Sequence, residues 1–114
     1  MGKKRIPEAV GEAALADLST QLGTAVRYLL QRIETEFPGG TIELRVPPFG
    51  AIQCVEGMDH RRGTPPNVVE LDPEVFIELA LGKRKLDLST ASPDIRLSGV
   101  RASEIAKVFD ALNP

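Results

Sequence analysis

The stretch NVVELDPEVFIELALGK, residues 67–83, predicts a strand that leads directly into a helix. Its first part, NVVEL, is short and contains β-branched valines, which favour strands. Asp72 is predicted to cap the helix that follows, Pro73 to take its first position and Gly82 to end it. The helix carries an apolar stripe that should face a core, formed by Val75, Phe76, Leu79 and Ala80.

Two further strands are predicted upstream of this unit. TIELRV, residues 41–46, alternates apolar and charged residues, which indicates one buried and one solvated face. AIQCVE, residues 51–56, predicts the next strand, with Ile52 and Cys54 on the same face. The segment PPFG between them suits a hairpin turn, so the two strands should pair antiparallel.

The region from about residue 7 to residue 37 is predicted to be helical. Its apolar residues recur at spacings of three and four, as in a helix that buries one face: Leu15, Leu18, Leu22, Val26, Leu29, Ile33 and Phe37. DLSTQLG, residues 17–23, interrupts the pattern and predicts two helices, with Ser19 or Thr20 as the cap of the second. The segment FPGG then ends the helical region.

One strand and one helix are predicted near the end of the chain. DIRLS, residues 94–98, predicts a fourth strand, and a last helix starts near Ser103. The order α-α-β-β-β-α-β-α predicts an α+β fold, in which helices cover one face of a mainly antiparallel sheet. The length of 114 residues fits a single domain over residues 1–114.

The composition disfavours several classes of function. The 14 Lys and Arg residues against 16 Asp and Glu give a net charge of −2, so no overall positive field recruits nucleic acid. No apolar run approaches the ~18 residues of a membrane helix, and no apolar segment follows the basic start MGKKRIPEAV. With a single cysteine as well, the chain is expected to be cytoplasmic, without an integral membrane segment.

Cys54 and His60 are the one pair that could act as a nucleophile and its base, with Asp59 as an orienting group. Cys54 is predicted on an apolar strand face and His60 in a polar turn, so the interpretation favoured here is a core cysteine and a surface histidine. One His and one Cys among scattered carboxylates supply no known metal-ligand spacing. No catalytic residue, metal or cofactor is therefore expected.

Arg61 and Arg62, next to His60, could hold an anionic head group, although a solvated basic turn is the favoured interpretation, because such turns are common in surface loops. The apolar side chains are similarly ambiguous, because periodicity alone does not separate a filled core from a ligand pocket.

Three segments resemble the bacterial branch of the sterol carrier protein family. They are RVPPFGAIQCVEG (45–57), HRRGTPPNVVELDPEVFIELALGK (60–83) and IRLSGVRASEIAKVFDAL (95–112). The resemblance covers about residues 41–112. It implies an α+β fold with a five-stranded sheet, whose additional strand would lie within GMDHRRG, residues 57–63, and a C-terminal helix that closes an apolar tunnel.

The resemblance also implies a site. Its apolar pocket would be lined by Phe49, Ile52, Val69, Phe76, Leu79, Leu86, Ile95, Leu97, Ile105, Val108, Phe109 and Leu112, and its polar rim would be formed by His60, Arg61 and Arg62. Two departures alter the pocket wall. Phe76 and Leu86 stand where this branch often has Trp, and LDLSTASPD, residues 86–94, replaces a small helix. The ligand preference of the family is therefore not carried over.

The expected function is non-enzymatic binding or transfer of a lipid or another apolar small molecule. The alternative is an accessory module that interacts with another protein or dimerises, without a small ligand. The sequence leaves a homodimer open.

Overall fold

The structure is a computed structural model that describes residues 5–57, 67–88 and 92–113. In these ranges the chain forms the elements α1 (Glu8–Leu15), α2 (Leu18–Glu36), β1 (Ile42–Val46), β2 (Gly50–Cys54), β3 (Asn67–Leu71), α3 (Pro73–Ala80), β4 (Ile95–Ser98) and, after one 3₁₀ turn (Ala102–Glu104), α4 (Ile105–Leu112). The predicted element order and α+β class are confirmed.

The break between the first two helices lies slightly before the predicted caps. Asp17 precedes the first residue of α2, and the hydroxyls of Ser19 and Thr20 donate to its carboxylate. The prediction that Ser19 or Thr20 caps α2 is therefore wrong, since both lie inside the helix. Gln21 has non-helical backbone angles, with φ −128° and ψ 33°, so α2 is kinked near its start.

The strands form a mixed sheet in the order β2-β1-β3-β4. β1 pairs antiparallel with β2 and β3 antiparallel with β4, whereas β1 and β3 are parallel. β2 ends at Cys54 and β3 begins at Asn67, and both residues lie opposite Ile42, the first residue of β1. β3 therefore starts at the same end of the sheet as β1 and runs parallel to it. The described residues contain four named strands rather than the five expected. Apart from Gly57, the segment predicted to supply the fifth lies outside them.

One face of the sheet is covered and the other carries charges. On the covered face Ile42, Leu44 and Val46 of β1 have no exposed surface. On the open face Arg96 of β4 pairs with Glu70 of β3 at 3.0 Å. Such exposed pairs contribute little stability, so burial of the covered face provides most of the stabilisation.

The start of α3 differs in one detail from the sequence prediction. Asp72 occupies the N-cap position before Pro73, and its carbonyl accepts the Phe76 amide at 2.9 Å. Its carboxylate makes no capping bond and instead accepts from Nη2 of Arg96 at 3.3 Å. The predicted side-chain cap is therefore replaced by a contact to β4. Gly82, at φ +76°, follows the end of the helix as expected.

Candidate functional site

The residues predicted to line an apolar pocket come together around the layer between the sheet and the helices. Seven of them are buried members of one hydrophobic cluster: Ile52, Val69, Phe76, Leu79, Ile105, Val108 and Phe109. The other five are partly buried and pack against it: Phe49, Leu86, Ile95, Leu97 and Leu112. At its centre the rings of Phe76 and Phe109 meet edge to face, with 6.2 Å between their centroids.

Regular local structure brings these residues together. In α3 the spacing of Phe76 and Leu79 directs both toward the core, and in α4 Ile105, Val108 and Phe109 form one buried stripe. The ends of the two helices are joined by Asn113, whose side-chain amide donates to Ala80 O at 3.0 Å and to Phe109 O at 3.2 Å. α4 therefore closes over the cluster and is fastened at its C-terminal end.

A groove of about 380 Å³ opens beside α4 and reaches this cluster. Its apolar wall consists of Phe37, Pro38, Val55 and Val108, and charged residues that include Glu56 and Lys107 lie around it. We call it the α4 groove. Val108 is 3% exposed and belongs to both the groove and the buried cluster, so this side chain separates the groove from the interior.

Val55 in the wall of the α4 groove has a strained backbone. It adopts φ +72°, which is an outlier for a β-branched residue. Two hydrogen bonds hold it there, since its N–H donates to Phe37 O at 2.8 Å and its carbonyl accepts from the Thr41 amide at 3.1 Å. Strain of this kind concentrates at functional sites. The sequence prediction treated Val55 as an ordinary strand residue, because positive φ is usually announced by Gly, Asn or Asp.

An ion pair spans the 3₁₀ turn that precedes α4, at the edge of the groove. Arg101 donates to the carboxylate of Glu104 at 2.7 and 2.9 Å, and this contact holds the pKa of Glu104 below its usual value. The backbone N–H of Arg101 donates to Oδ1 of buried Asn67 at 2.8 Å, and Nδ2 of Asn67 donates to Thr41 O at 2.9 Å. Asn67 at the start of β3 thereby links the residues that directly precede β1 and the 3₁₀ turn.

The residues predicted to form the polar rim, His60, Arg61 and Arg62, lie outside the described residues. Asp59 lies outside them as well. Cys54 has no exposed surface, and burial, with a smaller contribution from the charge of Glu34, raises the pKa of its thiol to about 11. At neutral pH this cysteine is therefore a protonated core residue.

Residues 5–57, 67–88 and 92–113 contain no group of three or more His, Cys, Asp or Glu side chains arranged to hold a metal ion. Within the same ranges, none of the helices combines the length and apolar character needed to cross a bilayer.

Comparison with known proteins identifies the larger part of the chain. A family model described as bacterial SCP ortholog matches residues 19–110, which include all but the first residue of α2, the four described strands, α3 and most of α4. α1 precedes the matched region. No curated protein matches the sequence.

Proposed function

The chain belongs to the bacterial sterol carrier protein family, and from this we propose that it binds a lipid-like apolar ligand without catalysing a reaction. The observation that carries the proposal is the continuity between the α4 groove and the buried cluster. Val108 lies in both, so displacement of one helix would join an open groove to an apolar interior. An apolar tail that enters there is removed from water, at about 0.8 kcal/mol for each buried CH₂ group.

α4 is the element best suited to admit such a ligand. It has eight residues, no side-chain cap at its N-terminus, and an apolar stripe that packs inward. A tail inserted beside Val108 would take over part of the contact that Phe109 makes with the cluster. When α4 moves, the ligand covers the apolar surface that the helix exposes. The total buried apolar area therefore changes little, and the movement costs little free energy.

Absence of catalysis is part of the proposal. Cys54, the one nucleophile considered above, is buried with a raised thiol pKa, which supports a role in packing. Binding in such a site depends on shape and apolar area, with polar groups at the rim to orient the ligand.

The proposal is tested by titrating the chain with a fluorescent fatty acid. We expect Val108→Trp, which fills the inner end of the groove, to remove the saturable binding of one molecule per chain. Val100→Trp is the matched control, because Val100 is 96% exposed and does not line the groove. Equal weakening by both substitutions would contradict the α4 groove as the binding site.

Native mass spectrometry of protein isolated from its own host extends this test, because it detects retained ligand and subunit number together. Retained lipid on a monomer supports the carrier function. A ligand-free, concentration-dependent dimer that binds no apolar probe would instead favour the accessory interaction module.

A further inference from the structure

A second cavity, of about 590 Å³, lies on the outer side of β2. This volume is within the roughly 300–1,000 Å³ of small-molecule sites. Three parts of the chain form it: residues 5–6, α2, and β2, which is one of the two edge strands in the described sheet. We call it the β2 cavity. The lining residues described for it and for the α4 groove have no member in common, so the two are different places on the molecule.

The β2 cavity contains both arginines that form no ion pair within residues 5–57, 67–88 and 92–113. Five of the seven arginines in the described residues form ion pairs: Arg32, Arg45, Arg84, Arg96 and Arg101. The remaining two, Arg5 and Arg27, both line this cavity. Their hydrogen bonds are long, at 3.4 Å from Arg5 to Thr35 and 3.5 Å from Arg27 to Thr24, so most of their donors remain available.

The acidic residue of this lining lies toward the other end of β2. Glu34 also lines a neighbouring cavity together with Pro38 and Gln53, which places it toward the end of the strand. Arg27 lies beside Gly50, where the strand begins, and precedes Glu34 by seven helical residues, or about 10 Å. The Arg27 end of the cavity is therefore cationic.

An apolar surface continues from this cationic end. Ile6, which is partly exposed, lines the cavity together with Leu30 of α2 and Ile52 of β2, which are 3% and 8% exposed. A Cβ atom at Gly50 would come within 3.3 Å of Leu30 and 4.0 Å of Cγ of Arg27, so glycine keeps the strand open beside the aliphatic part of this arginine. A cation next to a strip of hydrocarbon is complementary to a molecule with an anionic head and one apolar tail.

The N-terminal segment is fixed in position to complete the cavity. The side-chain amide of Gln31 accepts from the Ile6 N–H at 2.8 Å and donates to the Ile6 carbonyl at 2.9 Å. This reciprocal pair holds residues 5 and 6 against α2. The segment precedes the region matched by the family model, so this wall of the cavity is an addition to the matched region.

We infer that the β2 cavity is a binding site for a single-chain amphiphile with an anionic head group. The head group pairs with Arg27, and the tail covers the apolar lining at Ile6, Leu30 and Ile52. This inference does not depend on the proposed function, since it concerns a different cavity.

The test uses decanoate as the probe and the Val108→Trp chain as the background, so that the α4 groove is blocked. We expect decanoate to shift the amide resonances of Gly50 and Ala51 saturably in ¹H–¹⁵N spectra. Arg27→Gln should weaken this binding about five- to tenfold, because it removes a charge-assisted contact. The matched control is Arg32→Gln on the same helix, whose guanidinium pairs with Glu36, and it should leave the affinity unchanged.

Two further probes separate the contributions of head and tail. Decyltrimethylammonium has a comparable tail and the opposite charge, and acetate has the anionic head without the tail. The inference is overturned if either binds as tightly as decanoate, if Arg27→Gln has no effect, or if Gly50 and Ala51 do not respond. Failure here, with saturable fatty-acid binding in the chain that retains Val108, would leave the proposed function intact.

Discussion

At the scale of single residues, burial sets the chemistry of Cys54. The thiol lies on the apolar face of β2, opposite Ile42 of β1, and its pKa is raised to about 11 from an ordinary value of 9.0. Between these values the unfolded chain loses the thiol proton and the folded chain keeps it. The folded state then binds more protons, so its stability falls as the pH rises through this window.

This gives a prediction for alkaline unfolding. Between pH 8 and pH 11 the free energy of unfolding should fall by up to about 2 kcal/mol more in the natural chain than in Cys54→Ala. Denaturant titrations of both chains across this range measure the difference, and Tyr28, whose pKa is also raised, cancels between them. At neutral pH the substitution should cost only modest stability, ~1 kcal/mol, and leave ligand binding intact. Parallel pH profiles would contradict the burial argument.

At the scale of elements, the contact between α1 and α2 depends on a missing side chain. Gly11 is buried in α1, and a Cβ atom there would lie 2.2 Å from the ring of Tyr28 in α2. The hydroxyl of Tyr28 also donates to Glu12 at 3.0 Å. The ring therefore lies against the helix backbone, where glycine alone leaves room for it.

Gly11→Ala tests this contact through the sign of its effect. In an isolated helix the change would stabilise the helix by about 1 kcal/mol, because alanine loses less backbone entropy than glycine when the helix forms. Here we expect a destabilisation of about 1–3 kcal/mol, as for other overpacked sites. Adding Tyr28→Ala should remove the clash and restore the ordinary preference for alanine. Denaturant unfolding of the single and double variants provides the measurement, and a stabilised single variant would show that α1 does not need this close approach.

At the scale of the whole molecule, the layer between sheet and helices determines stability and, under the proposed function, ligand size. Phe76 has no exposed surface and contacts Phe109 across the gap between α3 and α4. Phe76→Ala should therefore cost about 3–5 kcal/mol. Phe49→Ala should cost less, because Phe49 is only partly buried.

Phe76→Ala also tests whether the ligand reaches the core. If the tail reaches the interior past Val108, the volume vacated in Phe76→Ala should shift the preference toward longer or bulkier tails. Phe76→Leu, a milder change, keeps the comparison available if the alanine variant is too unstable. The readout is the affinity for fatty acids of increasing length, and an unchanged preference would indicate that the ligand stays in the outer groove.

The elements around the candidate site follow largely from local patterns. The stripe of α3, the turn between β1 and β2, and the buried face shared by Ile52 and Cys54 each depend on residues close together in sequence. The caps were less predictable. The carboxylate of Asp72 could accept a hydrogen bond from a backbone N–H of α3 or from the guanidinium of Arg96. Arg96 lies within reach only because β4 pairs with β3.

The sequence by itself determined the α+β class, the element order and, through its motifs, the family, because apolar periodicity, turn residues and motifs can be read along the chain. Only the tertiary structure decided that β1 and β3 run parallel, that Val55 is strained beside α4, and that the two arginines without an ion pair among the described residues line one cavity. These features depend on contacts between segments far apart in sequence: Gly50 meets Arg27 and Leu30, and Ile6 meets Gln31. Local patterns specify what each segment can form, whereas cavities and charge partners depend on which segments pack together.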